Sequence, residues 1–343
     1  MKLIRRITAV AAMGVMTCLP LAAQADTQVE GQVAVSEDQT INNVDDVIAK
    51  SAAVYATYQS DVTDVRLHPL SSAGDIEDSL TSLGGHNSQQ LSNGFIAYSA
   101  LVASQNPEFR AAVRDIEGFY GRDSLMLGMR NDVRYARTLG GGNAAVTSSL
   151  AAIEADAERL RGAGAYVKEQ AYSLQAVGWA KATIRNSDAL IEQIQASASA
   201  GMPVREDLQL AFASSDINTV LAQAGQSGAP SLWENVNSAA SAVRFPSLDM
   251  VYSGRSARIR AGKEPIADKI ATLAAYRVLG TDAAPAQEVR TAMRETSTRN
   301  CINMAQLNLQ QCVAAAHNQF EVPFCIGEHA LTDVGDCIGD VTQ

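Results

Sequence analysis

One run of residues constrains the fold more than any other. Val146, Leu150, Ile153, Ala157, Leu160, Gly164, Val167, Ala171, Leu174 and Gly178 recur at alternating steps of four and three. This is the a/d seam of a long helix lying along a nearly parallel or antiparallel neighbour. One row of the seam is large (Val146, Ile153, Leu160, Val167, Leu174), and the other shrinks to Ala157, Gly164, Ala171 and Gly178. Glycine inside a helix costs about 1 kcal/mol relative to alanine, so the small row implies that a second helix axis comes unusually close. An intramolecular core seam is the first reading. A homodimer through Val146–Gly178 is the alternative.

Helical signals dominate the rest of the chain. Val44 to Ser60 is Ala-rich with apolar residues at helical spacing, Asp75 to Leu83 is a shorter candidate, and Ser88 to Ser104 carries Leu91, Phe95, Tyr98 and Val102 on one face. Asn106-Pro107 is a cap followed by proline at the first helical position. A further helix is expected from Asp123 to Leu139, where Gly140-Gly141-Gly142 ends it. Ser187-Asp188 can open the next helix. The Ser/Ala/Gly stretch up to Gly201, before Pro203, is the best internal boundary. Beyond it lie short helices near Leu208–Phe212 and Ser215–Ala224, then Ser231–Val243, an irregular Phe245–Lys263, and a helix from Pro265 to Leu279. No run of alternating residues is long enough to build a sheet. The expected class is mainly α, an antiparallel helical bundle with a stapled C-terminal helical hairpin.

The first 25 residues read as a leader to be removed. Lys2, Arg5 and Arg6 precede an apolar run from Ile7 to Leu19, and Ala23-Gln24-Ala25 offers a small-x-small cleavage motif ahead of Asp26. Cleavage following Ala25 would leave 318 residues with a net charge of -13 rather than the -10 of the full chain. That acidity excludes nucleic acid as a partner, since its binding needs a basic face. The apolar run is too short to span a bilayer, and no transmembrane segment is expected in the mature chain. A periplasmic or secreted location follows. The expected organisation is a leader (1–25), a flexible segment (26–43), a bundle containing the heptad helix (44–200), a second helical region packed on it (201–299), and a stapled hairpin (300–343).

Export gives the cysteines their meaning. Four remain after cleavage, namely Cys301, Cys312, Cys325 and Cys337, and an oxidising compartment makes disulfides the default. Cys301 and Cys312 are eleven apart and Cys325 and Cys337 twelve apart, so each pair lies close to one helix face. Asn318 to Pro323 reads as the turn between two antiparallel helices. That arrangement selects nested bridges, Cys301–Cys337 and Cys312–Cys325. A metal site using Cys325, His329 and His317 is the competing reading. Export weighs against it, and no metal or cofactor is expected.

Cys301, Asn303-Met304, Leu307-Asn308-Leu309, Cys312, Phe324-Cys325-Ile326-Gly327-Glu328-His329, Asp333 and Cys337 also resemble the C-terminus of a group of uncharacterised exported bacterial proteins. The likeness is fainter through Ala100-Leu101-Val102, Phe109-Arg110, Val113-Arg114, Lys168, Gln170-Ala171-Tyr172 and Trp179-Ala180-Lys181. It implies export and a stapled hairpin, and it supplies no activity.

Candidate chemistry is sparse. Arg110, Arg114, Arg122, Arg130, Arg134 and Arg137 fall within 28 residues, interleaved with Phe119, Tyr120 and Tyr135. Arg130, Arg134 and Arg137 would share a helix face, where like charges repel and require compensation. Glu154, Asp156 and Glu158, with Asp115, Glu117 and Asp123, are the expected partners. The sharper reading is an anionic ligand held by guanidinium forks from Arg114, Arg122, Arg130, Arg134 and Arg137. His68 and His86 read as loop residues and His329 as a hydrogen-bonded hairpin residue. No catalytic residue, nucleophile elbow, phosphate loop or calcium loop stands out. The expected function is therefore a non-enzymatic exported protein acting through protein or cell-envelope contacts. An anion- or small-ligand-binding protein is the alternative, and an enzyme with a dispersed site comes third.

Overall fold

The computed structural model describes residues 46–214, 216–233, 257–280 and 283–342. These fall in a unit spanning Thr40–Gln343. The leader, the 26–43 segment, and most of Ser231–Val243 and Phe245–Lys263 lie outside the described residues. Among the described residues the fold is mainly α, with isolated bridges at Thr183–Asn318 and Ile259–Thr342 as its only β pairing. No described helix is long and apolar enough to cross a membrane.

Helix α1 (Val47–Leu67) begins where the Asp46 carboxylate accepts from the amides of Ile48 and Ala49, at 2.9 and 3.1 Å. This relieves the unpaired N–H groups of the first turn. Asp46 also pairs with Arg277, which ties the start of α1 to a distant helix. Helices α2 (Ala73–Gly84) and α3 (Ser88–Ala103) are capped likewise by Ser72 and Asn87. α3 is the centre of the molecule. From Phe95 to Ala103 it is buried on every side, as an apolar helix surrounded by other helices must be. α1 lies on one of its flanks, and α11 (Glu264–Leu279), buried over most of its own length, lies on another.

Asn106 caps α4 (Pro107–Tyr120) through a 2.9 Å bond from the amide of Phe109, with Pro107 in the first turn, as its spacing predicts. The helix expected from Asp123 to Leu139 is instead two pieces, α5 (Arg122–Asn131) and α6 (Tyr135–Thr138). Asp132 is the cause. Its backbone is extended (φ -138°, ψ 108°), and its carboxylate takes the amide of Arg134 at 3.0 Å, an Asx-type bond that competes with the helix.

The heptad helix is α7 (Gly142–Leu174), ending four residues short of Gly178. α8 (Ser187–Ala200), α9 (Glu206–Ala213) and α10 (Ile217–Ala224) follow. After α11 come α12 (Ala286–Met293) and α13 (Thr296–Ala315). The last helix runs as α14 (Glu321–Cys325), a π-helical stretch Ile326–Thr332, and α15 (Asp333–Gly339).

This last helix is the neighbour that the seam calls for. Val146, Leu150, Ile153, Leu160 and Val167 are at most 1% exposed, and burying each such side chain is worth about 1.5–3 kcal/mol. The small row meets the π-helical stretch and α15. A Cβ at Gly327 would stand 2.7 Å from the carbonyl oxygen of Gly164, and one at Gly335 would stand 3.0 Å from Cβ of Leu160. Only glycine allows these backbones so close. The seam is thus filled within one chain. Cys301–Cys337 and Cys312–Cys325 close the hairpin in the nested order, each with Cα atoms 5.6 Å apart.

Candidate functional site

The Arg-rich segment does not converge on one point. Arg114 on α4 and Arg122 at the start of α5 both donate to Glu117, each at 2.8 Å, and Arg122 also reaches the carbonyl of Leu279 at 3.0 Å. Arg130 pairs with Glu288 of α12 at 2.9 Å. Arg137 pairs with the buried Asp268 of α11 at 2.5 Å. Arg134 folds back on Asp132 at 3.2 Å. The break at Asp132 removes the helix face that Arg130, Arg134 and Arg137 were expected to share. Of the expected acidic partners Glu117 takes Arg114 and Arg122, while Glu288, Asp132 and Asp268 pair with Arg130, Arg134 and Arg137. Glu154 instead accepts from Thr342, and Asp156 lies inside the core.

The same segment carries an exposed apolar corner. Phe109, Val113, Ile116 and Tyr120 form one stripe of α4 at steps of four, three and four. Phe109 and Val113 are fully buried and Ile116 partly so, whereas Tyr120 is 65% exposed. Phe119 beside it is 80% exposed, with the two rings 4.6 Å apart. Leu127 on α5 and Val133 are exposed as well. Gly121 makes the turn between the helices at φ 83°, a value that suits glycine. Apart from the adjoining chain itself, no atom of the described residues lies within 4 Å of where a Cβ would sit on Gly118 or Gly121. The sequence placed Phe119 and Tyr120 among the arginines, but their exposure follows from where α4 outruns the body beneath it.

A second arrangement lies at the core. Asp156 and Arg159 of α7 are 0% and 2% exposed. The Asp156 carboxylate accepts from Ser231 Oγ at 2.6 Å, Tyr55 Oη at 3.0 Å and Trp233 Nε1 at 3.1 Å. Gln59 Nε2 donates to Tyr55 Oη at 2.8 Å, while Arg159 donates to Gln59 Oε1 at 2.5 Å and Thr63 Oγ1 at 2.6 Å. Tyr55, Tyr98 and Phe212 surround the Trp233 indole. Burial pushes the Asp156 carboxyl up to about 6, against the pull of its donors and of Arg159. Burial, followed by the Asp156 charge, also raises Tyr98, whose hydroxyl is buried without a hydrogen-bond partner. Sequence reasoning missed this network. Its signal was present: Tyr55, Gln59 and Thr63 recur every fourth residue on α1, and Asp156 and Arg159 flank the seam three apart.

Two of the four histidines, His86 and His329, are paired with carboxylates. His86, expected in a loop, is buried, with Nε2 2.7 Å from Asp61 and its ring edge-on to Tyr58. His329 lies in the π-helical stretch with Nδ1 2.8 Å from Asp333. Cys325 of the competing metal reading is bonded to Cys312, and no group of three or more metal-ligating side chains occurs among the described residues. Beside that bridge a groove of about 410 Å³ runs past Tyr172, Phe320 and Phe324.

No family model, no curated protein and no solved structure matches this chain.

Proposed function

We propose that this chain is an exported helical protein that works by surface contact with a component of the cell envelope rather than by transforming a substrate. One observation carries the reading. Phe119 and Tyr120 stand side by side on a corner that nothing among the described residues covers, with Leu127 exposed on α5 and Val133 exposed in the break after it. Large apolar side chains gathered in this way mark interaction surfaces more often than chance exposure does. The hairpin fits a life outside the reducing cytoplasm, because its two bridges persist only where thiols are oxidised. The anion-binding alternative has less support, since Arg114, Arg122, Arg130, Arg134 and Arg137 each already donate to a carboxylate. The test is photo-crosslinking in living cells with a benzophenone side chain at position 119. Adducts with envelope components are expected there and not from a control at the exposed Asn143. Absence of any adduct at position 119 would sink the proposal.

A further inference from the structure

The outer face of α13 carries no charge. Residues 300–320 contain no Asp, Glu, Lys or Arg, in a chain of 343 residues that holds 27 basic and 37 acidic ones. Helix α3 lacks charge too, but α3 is enclosed. α13 is not, since Cys301, Met304, Leu307, Gln311 and Ala315 are exposed along it. Burial explains the first case and not the second. A solvent-facing surface that is poor in charge and rich in Met and aromatic rings has the composition of a protein–protein interface.

The relief of this face says what fits it. Met304, Asn308, Gln311 and Ala315 follow one another by four, three and four, a single stripe about 16 Å long. At its first end Met304 and Leu307 project, 54% and 40% exposed. At its other end Ala315 and Cys312 line the groove of about 410 Å³ with Tyr172, Phe320 and Phe324. Knob and hole thus lie on one stripe. A twofold axis between Asn308 and Gln311 would lay α13 of one copy antiparallel on α13 of another. It carries each Met304–Leu307 knob to the other copy's groove and sets amide against amide, groups that both donate and accept.

Charge selects the same occupant. Copies of a chain with a net charge of -10 repel one another, and an uncharged face is where they can approach. The acid lining the groove, Glu321, accepts from the amides of His317 and Asn318. Glu328 pairs with Lys168 at 2.6 Å, and Asp336 with Arg161 at 2.7 Å. Glu169, three residues before Tyr172, would face the uncharged Asn300–Met304 end of the other copy rather than its own counterpart.

We propose that the outer face of α13 is the contact face of an antiparallel, twofold-symmetric homodimer, in which Met304 and Leu307 of each protomer enter the groove beside Cys312–Cys325 of the other. This contact uses none of the residues of the α4–α5 corner, so it stands or falls independently of the envelope contact proposed above. One helix face and one groove lie at the low end of interface size, so assembly is expected on the order of 10–100 μM.

The experiment is sedimentation velocity of the purified, disulfide-intact protein from about 1 to about 500 μM, a range that spans the expected assembly. The sedimentation coefficient should rise toward that of a dimer. M304E places a charge against the groove while leaving the core untouched, and should weaken dimerisation at least about tenfold. F119S/Y120S, on the other surface, should dimerise as the wild type does. A benzophenone side chain at position 304 supplies a readout that does not depend on the folding of M304E. Its adducts should map to the groove of the other copy, at Tyr172, Phe320 or Phe324. A protein that stays monomeric throughout the range overturns the proposal. So does a dimer that M304E leaves intact, that F119S/Y120S abolishes, or whose crosslinks from position 304 join the two copies of that same position. Crosslinks from position 304 to a different protein, without a dimer, would give the face to that partner and equally overturn it.

Discussion

The C-terminal hairpin and the α4–α5 corner are both helical turnarounds bearing apolar residues, yet one is closed and the other open. In the hairpin the apolar seam is covered by the same chain, although Met304, Leu307 and Phe324 on its outer faces stay exposed. The seam of α7 receives the π-helical stretch and α15, and two disulfides hold that helix to α13. At the corner the apolar stripe of α4 runs on past its support and ends on Tyr120 in solvent. An apolar periodicity records that a face needs covering. It does not record whether the cover lies in the same molecule: the α7 seam is covered by its own chain, whereas the end of the α4 stripe stays exposed among the described residues.

The contrast breaks most readily at the staples. Closing loops of 36 and 13 residues should stabilise the hairpin by about 4 and about 3 kcal/mol on a chain-entropy account. Reduction in denaturant titrations should therefore lower stability by several kcal/mol. Unchanged unfolding after reduction would show that the hairpin holds by packing alone. The next largest effect is expected from Gly164→Leu. Its Cβ would stand 2.5 Å from the carbonyl oxygen of Gly327, so α7 and the π-helical stretch must separate. Overpacking of this kind costs about 2–3 kcal/mol, readable as a shifted urea midpoint. Gly178→Leu, at a position with nothing within 4 Å of its would-be Cβ, serves as the silent control.

A smaller effect should depend on pH. Burial raises the Asp156 carboxyl from 3.8 to about 6, so the folded protein holds this proton more tightly than the unfolded chain does. The resulting stabilisation is complete below the unfolded value and is lost as the pH rises through 6. Relative to Asp156→Asn, the wild type should lose on the order of 1 kcal/mol between pH 5 and pH 7.5. Parallel pH profiles for the two proteins would contradict this. The smallest effect is expected at the corner. F119S/Y120S removes side chains that are already exposed, and its midpoint should stay within about 0.5 kcal/mol of wild type, although its contacts with the envelope should be lost.

Much of the closed region was legible in the residues. Steps of four and three, a row of Ala and Gly, and cysteines placed symmetrically about a turn each depend on local geometry, and together they specify the hairpin and its nested bridges. The rest depended on tertiary context. One side-chain bond from Asp132 divides a helix that looks continuous by periodicity. His86, read as a loop residue, is buried because α1 brings Asp61 and Tyr58 to it. Asp156 looked like a surface acid available to arginines. Its burial depends on Ser231 and Trp233, 75 and 77 residues away along the chain. The arginines themselves find Glu288 and Asp268, which no local pattern connects to them.

The π-helical stretch bears on the staples in a way that can be put as angles. From Cys301 to Cys312, eleven α-helical steps rotate the chain by about 1,100°, within about 20° of three full turns, so both sulfurs lie on one edge of α13. Twelve such steps from Cys325 to Cys337 would leave the second pair about 120° apart. The seven residues Ile326–Thr332 turn more slowly, at about 80° each instead of 100°, and together they take back about that amount. Both cysteines of the last helix are thereby brought into phase with the edge they must meet. The wide turn thus acts as a vernier between two clamps, converting a twelve-residue spacing into three whole turns.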